Sequence, residues 1–130
     1  MNDIMEIAVV TPRLTPDLAG AFCDAYNANR PDRPITDPDE VNQPPGGAEA
    51  LARAIMAVLD HVGAGYKAEQ SMTGTWYLEI TPLRRNRDPF RVRISNHPGK
   101  HPTAQKIEFR TYRRTRRRLE ALLVRIGSAG

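Results

Sequence analysis

The sequence has little cysteine and no long apolar run. Cys23 is the single cysteine among 130 residues, which excludes an intramolecular disulfide and any zinc site built from a cysteine cluster. It lies in an apolar stretch without an activating neighbour, so we expect a buried structural thiol. No apolar segment is long enough to span a bilayer, and the first residues include Asp3 and Glu6 rather than a basic start. These features predict a soluble intracellular protein.

Motifs for catalysis and for cofactor binding are also lacking. Gly46 and Gly47 precede a predicted helix, whose free N–H groups could hold an anion, but the strand-flanked phosphate-loop pattern is absent. No Ser/His/Asp order and no Cys/His pair has the local context that nucleophilic catalysis requires. We therefore expect no cofactor and no enzymatic activity.

Two histidines in one loop are the exception to this shortage. His97 and His101 lie in the Pro/Gly loop 96–103, where two imidazoles could ligate a metal or provide the acid–base chemistry of a nuclease. The prolines exclude the helical spacing that usually brings two such histidines together, and the sequence places no third ligand. A loop with two solvent-exposed histidines is the simpler interpretation, and a small histidine-dependent nuclease is the alternative.

Positive charge is scarce in the first half of the chain and abundant in the second. Residues 1–65 hold 4 Lys/Arg against 10 Asp/Glu, a formal −6, whereas residues 66–130 hold 15 against 5, a formal +10. Residues 113–118 include five arginines. This asymmetry indicates a polyanionic partner rather than a particular fold, and arginine suits bidentate phosphate contacts. The simpler interpretation is a solvated basic face.

Apolar periodicity predicts one α+β domain, with an antiparallel sheet of three to five strands packed against two or three helices. The predicted elements are a strand at 4–10, a helix at 15–29, a proline-rich loop at 30–47, a helix at 48–62, strands at 66–70, 76–81, 90–95 and 106–110, and a helix at 112–126. The N-terminal strand and helix thus occupy 1–29, and a core of helix, β-sheet and helix occupies 48–126.

The same periodicity separates apolar from basic residues. At 100° per residue, the last helix places Thr115, Leu119, Leu122, Leu123 and Ile126 on one side and arginines on the other. Alternation on the strands places arginines and Tyr77, a candidate for stacking on bases, on the open face of the sheet. The predicted nucleic-acid-binding residues are Arg113, Arg114, Arg117 and Arg118 on the helix, Arg91, Arg93, Arg110 and Tyr77 on the sheet, and Arg84 and Arg85 in a charged turn.

Residues 47–126 run helix, β-sheet, helix, and the last helix opens with a basic cluster. This order resembles that of a double-stranded RNA-binding domain, where basic residues at the N-terminal end of the final helix contact phosphates across a major groove. The lysine-alanine signature of that family is missing here, and residues 116–118 replace it only in charge. The resemblance implies phosphate contacts by these arginines.

A second, local resemblance involves residues 71–77, which begin with Ser71 and end with Tyr77, and residues 91–97, Arg-Val-Arg-Ile-Ser-Asn-His. They are similar to the Ser…Tyr…Arg-Ile-Ser-Asp-His pattern of small phage and prophage proteins without assigned function, with Asn96 in place of the aspartate. The resemblance implies a mobile-element origin and a place in the cytoplasm of a bacterial or phage-infected host cell. Such proteins include nucleic-acid binders and inhibitors of host defence, among them anti-CRISPR proteins.

Three functions are expected from these features. The first is non-enzymatic binding of DNA, RNA or another polyanion through the arginine-rich C-terminal helix. The second is a phage-encoded protein-interaction module that inhibits a host defence complex, using the arginines against an acidic groove or the acidic residues 32–40 against a nucleic-acid-binding site. The third is the histidine-dependent nuclease. Head-to-tail pairing of the oppositely charged halves would also produce a homodimer.

Overall fold

The computed structural model of the protein describes residues 14–41, 48–95, 107–110 and 115–127, and it confirms the predicted α+β class. The elements are helix α1 (Pro16–Asn29), a 3₁₀ helix (Pro38–Glu40), α2 (Ala48–Val62), strands β1 (Gly65–Gln70), β2 (Trp76–Thr81), β3 (Phe90–Ser95) and β4 (Ile107–Arg110), and helix α3 (Thr115–Ile126). The predicted strand at 4–10 lies outside the described residues. No helix in the described ranges is long and apolar enough to cross a membrane.

Helix α1 begins as the sequence predicts. The Thr15 hydroxyl accepts a hydrogen bond from the Leu18 N–H at 3.3 Å, Pro16 occupies the first turn, and Asp17 places a carboxylate near the positive end of the helix. The rings of Phe22 and Tyr26, one turn apart, stack with centroids 6.4 Å apart and are fully buried. These side chains pack α1 against α2.

Helix α2 is the central element of the core. It has the predicted bounds and ends at Gly63, whose φ of +80° favours glycine. Alanines as well as Leu51, Ile55 and Leu59 are buried, so more than one face of the helix is covered. This follows from its position, because α2 contacts α1 on one side and strands β1, β2 and β3 on the other.

The sheet has the order β1-β2-β3-β4, and its first three strands pair antiparallel as predicted. Strand β4 is the exception, because it pairs parallel with β3, with Val92 opposite Ile107. Two neighbouring parallel strands cannot be joined by a tight hairpin turn, so β3 and β4 do not form the antiparallel hairpin that the sequence predicts. Alternation of apolar and polar residues reports which face of a strand is buried but not its direction, so it could not predict this pairing.

The predicted apolar faces of the sheet and of α3 are both buried. Leu78 of β2 lies opposite Val92 of β3, and both are fully buried under α2. On α3 the buried residues are Thr115, Leu119, Leu122, Leu123 and Ile126, the five that the periodicity predicts. This stripe directs α3 toward β4 and the 3₁₀ helix, so the opposite side of α3 faces outward.

Cys23 lies in this interior. Burial raises the pKa of its thiol to about 11, with smaller contributions from the carboxylates of Asp37 and Glu40. A thiol with so high a pKa is protonated at neutral pH and is a poor nucleophile. The expectation of a buried structural cysteine is therefore confirmed.

Candidate nucleic-acid interface

Residues 30–41, the described part of the proline-rich loop, are fastened to the domain. The Asn27 side chain forms two hydrogen bonds with the backbone of Ile35: its Nδ2 donates to the Ile35 carbonyl at 2.9 Å, and its Oδ1 accepts from the Ile35 N–H at 2.7 Å. Ile35 and Val41 are buried in the core. This part of the loop therefore has a defined path across the surface.

The N-terminal end of the 3₁₀ helix in this loop is capped by two side chains, those of Asp37 and Glu40. The Asp37 carboxylate accepts from the Asp39 N–H at 2.9 Å, and the Glu40 carboxylate accepts from the N–H groups of Thr36 at 2.6 Å and Asp37 at 2.9 Å. The hydrogen bonds from Thr36 are the main cause of the lowered pKa of Glu40. This capping box holds the acidic side chains of the loop in fixed positions.

Two of these carboxylates bind the start of α3. Asp39 Oδ1 accepts from the Arg116 N–H at 2.8 Å, and Asp37 accepts from the Arg116 guanidinium. That second hydrogen bond is the main cause of the lowered pKa of Asp37. We call these contacts the acidic clasp, and they satisfy one of the N–H groups that a helix leaves unpaired in its first turn.

The acidic clasp changes the expectation for the N-terminal end of α3. The sequence predicts a cluster of cations for phosphate at this end, but carboxylates of the chain itself already bind the N–H and the guanidinium of Arg116. The acidic and basic halves of the chain therefore meet within one molecule. Arg113 and Arg114, the first two predicted contacts, lie outside the described residues.

Removing the acidic clasp should destabilise the fold modestly. We expect Asp39→Ala to lower the free energy of unfolding by about 1 kcal/mol, as for a lost helix cap. We expect Asp37→Asn to lower it by less than about 1 kcal/mol, because Asp37 and Arg116 are 39% and 42% exposed and solvent screens their attraction. Urea unfolding at neutral pH measures both changes.

The effect of Asp37→Asn should also depend on pH. The pKa of Asp37 is lowered in the folded state. Its contribution to the free energy of unfolding is therefore fully present above the unfolded-state pKa of about 3.9, and it is lost as the pH falls through the folded-state pKa. The stability difference between wild type and variant should therefore shrink below about pH 4. Asp24→Asn, at an exposed position, is the control. An Asp37→Asn difference that stays constant through this range would contradict the assignment.

The outward side of α3 carries arginines at both ends. Arg117 and Arg125 are exposed and lie eight residues apart, about 12 Å along the helix axis. Ala121 and Val124 are exposed between them, and Arg118 is partly exposed beside them. Glu120 accepts a hydrogen bond from the Leu14 N–H at 2.5 Å, which assigns this acidic residue a structural contact. Two of the predicted helix contacts, Arg117 and Arg118, therefore reach the surface of α3.

The charged turn between β2 and β3 lies against the C-terminal end of α3. The Leu83 N–H donates to the Ile126 carbonyl at 2.9 Å. The side chain of Arg84 crosses Gly127, where an added Cβ would lie 2.9 Å from the Arg84 Cγ. Gly127 also has a φ of +83°, so both its conformation and this contact require glycine.

These contacts join the turn and the helix into one basic surface. Arg84, Arg87 and Arg125 line a concavity of about 210 Å³ together with Val124 and Gly127. We call the whole region the helix–turn surface, and its exposed arginines are Arg84, Arg85, Arg87, Arg117 and Arg125. Within the described ranges, Arg84, Arg85, Arg87 and Arg117 form no salt bridge.

The residues predicted for a second surface, on the open face of the sheet, lie on strands β2, β3 and β4. Arg91 is exposed and its guanidinium lies over the ring of Tyr77, 5.3 Å from the centroid. Arg93 lies on the same face, directly opposite Tyr77 on the neighbouring strand. Arg110 is in β4, paired in register with Ser95.

The charge of this sheet face is mixed rather than basic. Across the strands, Glu79 lies between Lys67 and Arg91, and Tyr77 lies between Glu69 and Arg93. A carboxylate thus lies in the same row of the sheet as Arg91 and as Arg93, which weakens attraction for a polyanion. The face also lies on the side of the sheet away from α2, so it is separate from the helix–turn surface.

The structure therefore groups the predicted residues differently from the sequence. The turn that contains Arg84 and Arg85 lies against the end of α3, and Arg87 and Arg125 line the concavity with Arg84 although they were not predicted as contacts. The helical periodicity of the sequence already places Arg125 on the exposed side of α3. The contact between the turn and the helix joins separate segments, and no pattern within either segment predicts it.

The predicted histidine pair, His97 and His101, lies outside the described residues. In the part of the chain that the structure does describe, no group of three or more His, Cys, Asp or Glu side chains is arranged to hold a metal ion. Comparisons with protein-family models, with curated proteins and with solved structures each found no match to this chain. Its function must therefore be inferred from the arrangement of its own residues.

Proposed function

We propose that the protein binds the phosphate backbone of a nucleic acid through the helix–turn surface, without catalysing a reaction. The observation that carries this proposal is the junction of the β2–β3 turn with α3. The Leu83–Ile126 hydrogen bond and the contact of Arg84 with Gly127 place the arginines of two elements on one surface. The described residues that line its concavity include three arginines and no carboxylate.

The chemistry and the spacing of these groups suit a phosphodiester backbone. A guanidinium presents paired N–H donors that match two phosphate oxygens. Arg117 and Arg125 are about 12 Å apart along α3, and phosphates of one strand of a duplex follow each other at about 3.4 Å along its axis, so the helix spans three or four nucleotides. Because backbone contacts carry no direct sequence information, we expect binding that depends weakly on sequence.

Fluorescence anisotropy of labelled duplex DNA, single-stranded DNA and duplex RNA tests this proposal. At about 50 mM salt we expect binding to at least one of these ligands, with an affinity that falls steeply toward about 300 mM because counterions are released from the backbone. The preferred ligand would decide between DNA and RNA. Absence of binding to all three at the lowest salt would contradict the proposal.

An acidic protein surface is the second candidate ligand. Leu83 and Val124 are 43% and 55% exposed beside the arginines, and arginine mixed with apolar side chains is typical of protein interfaces. An inhibitor of a host defence complex would use the surface in this way. Pull-downs from bacterial lysate with and without nuclease treatment separate the candidates. A defined protein complex recovered from the treated lysate favours an acidic protein surface. Recovery of partners from the untreated lysate alone favours nucleic acid.

A further inference from the structure

The concavity on the helix–turn surface is a local concentration of positive charge. Arg84 and Arg87 come from the β2–β3 turn, and Arg125 comes from the last turn of α3. Within the described ranges Arg84 and Arg87 form no salt bridge, so an anion bound here would pair with at least these two guanidinium groups. The volume of about 210 Å³ is below the 300–1,000 Å³ of sites for drug-sized ligands, so a small anionic group fits better than a whole nucleoside.

Contacts within the protein orient two of these side chains, those of Arg84 and Arg125, before any ligand binds. The Arg84 side chain lies along Gly127, and the Arg125 guanidinium lies over the ring of Phe90, 4.7 Å from the centroid. The Arg87 N–H donates to the Arg84 carbonyl at 3.4 Å, which shapes the turn. Preorganisation of this kind reduces the side-chain entropy lost on binding.

We infer that this concavity is the binding site for one phosphate or pyrophosphate group, with Arg84, Arg87 and Arg125 as its ligands. The inference rests on the proposed function, because it assigns one phosphate of the nucleic acid to defined side chains. The same chemistry would also recognise a free phosphate or pyrophosphate ion. The site therefore predicts binding of the inorganic anion alone, which a diffuse basic surface does not.

Isothermal titration calorimetry with inorganic pyrophosphate tests the site on the full chain. We expect wild type to bind at millimolar concentration or below, and Arg84→Gln with Arg87→Gln to bind about tenfold or more weakly, because charge-assisted hydrogen bonds are lost. Arg33→Gln with Lys67→Gln is the matched control. Both residues are exposed and lie outside the concavity, and their substitution removes the same charge. The control should bind as wild type does.

Two results would overturn the inference: no binding of pyrophosphate by wild type, or an equal loss in the test and control variants. Both glutamine substitutions are at exposed positions, and an unchanged thermal unfolding midpoint without ligand would verify that the variant is folded.

Parallel titrations with labelled oligonucleotides separate this inference from the proposed function. Pyrophosphate binding without oligonucleotide binding would support the site for a free anion and contradict the proposed function. If the Arg84→Gln, Arg87→Gln variant retained oligonucleotide binding in full, the result would support the proposed function and contradict the phosphate site. Among bound oligonucleotides, a preference for a 5′-phosphorylated end would assign the site to a terminal phosphate, and equal affinity would assign it to the backbone.

Discussion

Replacement of Arg85 and Arg117 by glutamate should lower the affinity for the preferred nucleic acid by about a hundredfold or more at low salt. The two residues represent the two parts of the helix–turn surface, the turn and the helix. Each substitution removes a phosphate contact and adds a repulsive carboxylate in its place. Both side chains are exposed, so the fold should be unaffected, as circular dichroism and thermal unfolding would verify. Anisotropy titrations measure the affinity.

The matched control is Lys67→Glu with Arg91→Glu on the open face of the sheet. It changes the net charge by the same amount, but both residues lie in the row that already contains Glu79. We expect it to lose much less affinity than the helix–turn variant. Equal losses would indicate a dependence on net charge alone, and a larger loss in the control would move the contact surface to the sheet.

Leu122→Ala should lower the free energy of unfolding by about 2–5 kcal/mol. Leu122 is fully buried in the stripe that directs α3 toward β4 and the 3₁₀ helix, so truncation removes apolar contacts and leaves a cavity. Urea unfolding followed by circular dichroism measures the change. A marginally stable domain would lose much of its total stability through such a substitution.

Val124→Ala is the control for this prediction. Val124 lies on the same helix and is also apolar, but it is 55% exposed, so its truncation should change stability by no more than about 0.5 kcal/mol. If Leu122→Ala cost as little as the control, the buried stripe would not be what positions α3.

Local periodicity predicted much of the fold. The 3.6-residue repeat identified the buried side of α3 residue by residue, and Gly63 marked the end of α2. Alternation separated the buried from the open face of β2 and β3, and Trp76, in phase with the buried positions, is 8% exposed. These features depend on residues close together in the sequence, where geometry fixes which side chains share a face.

Contacts between distant segments were not predictable in the same way. Asp37 and Arg116 are 79 residues apart, and the opposite charges of the two halves indicate attraction without selecting this pair. Likewise, the acidic neighbours of Arg91 and Arg93 on the sheet face depend on the registers of β1 with β2 and of β2 with β3. Register and strand direction are tertiary properties, and patterning within one strand does not specify them.

The candidate site shows the same division. The sequence predicts arginines on α3 and in a charged turn, but it does not predict a contact between the two. The Leu83–Ile126 hydrogen bond and the contact of Arg84 with Gly127 place the turn at the end of α3. This placement adds Arg87 and Arg125 to the group and gives it a concave centre.

The proposed contact between the helix–turn surface and the phosphates of a nucleic acid should be visible in the salt dependence of binding. The most direct test is the salt dependence of the dissociation constant for wild type and for the Arg85→Glu, Arg117→Glu variant on one ligand. Each lost phosphate contact should reduce the slope of log affinity against log salt by about 1, so the variant should be less steep by about 2. Equal slopes for the two proteins would contradict the claim.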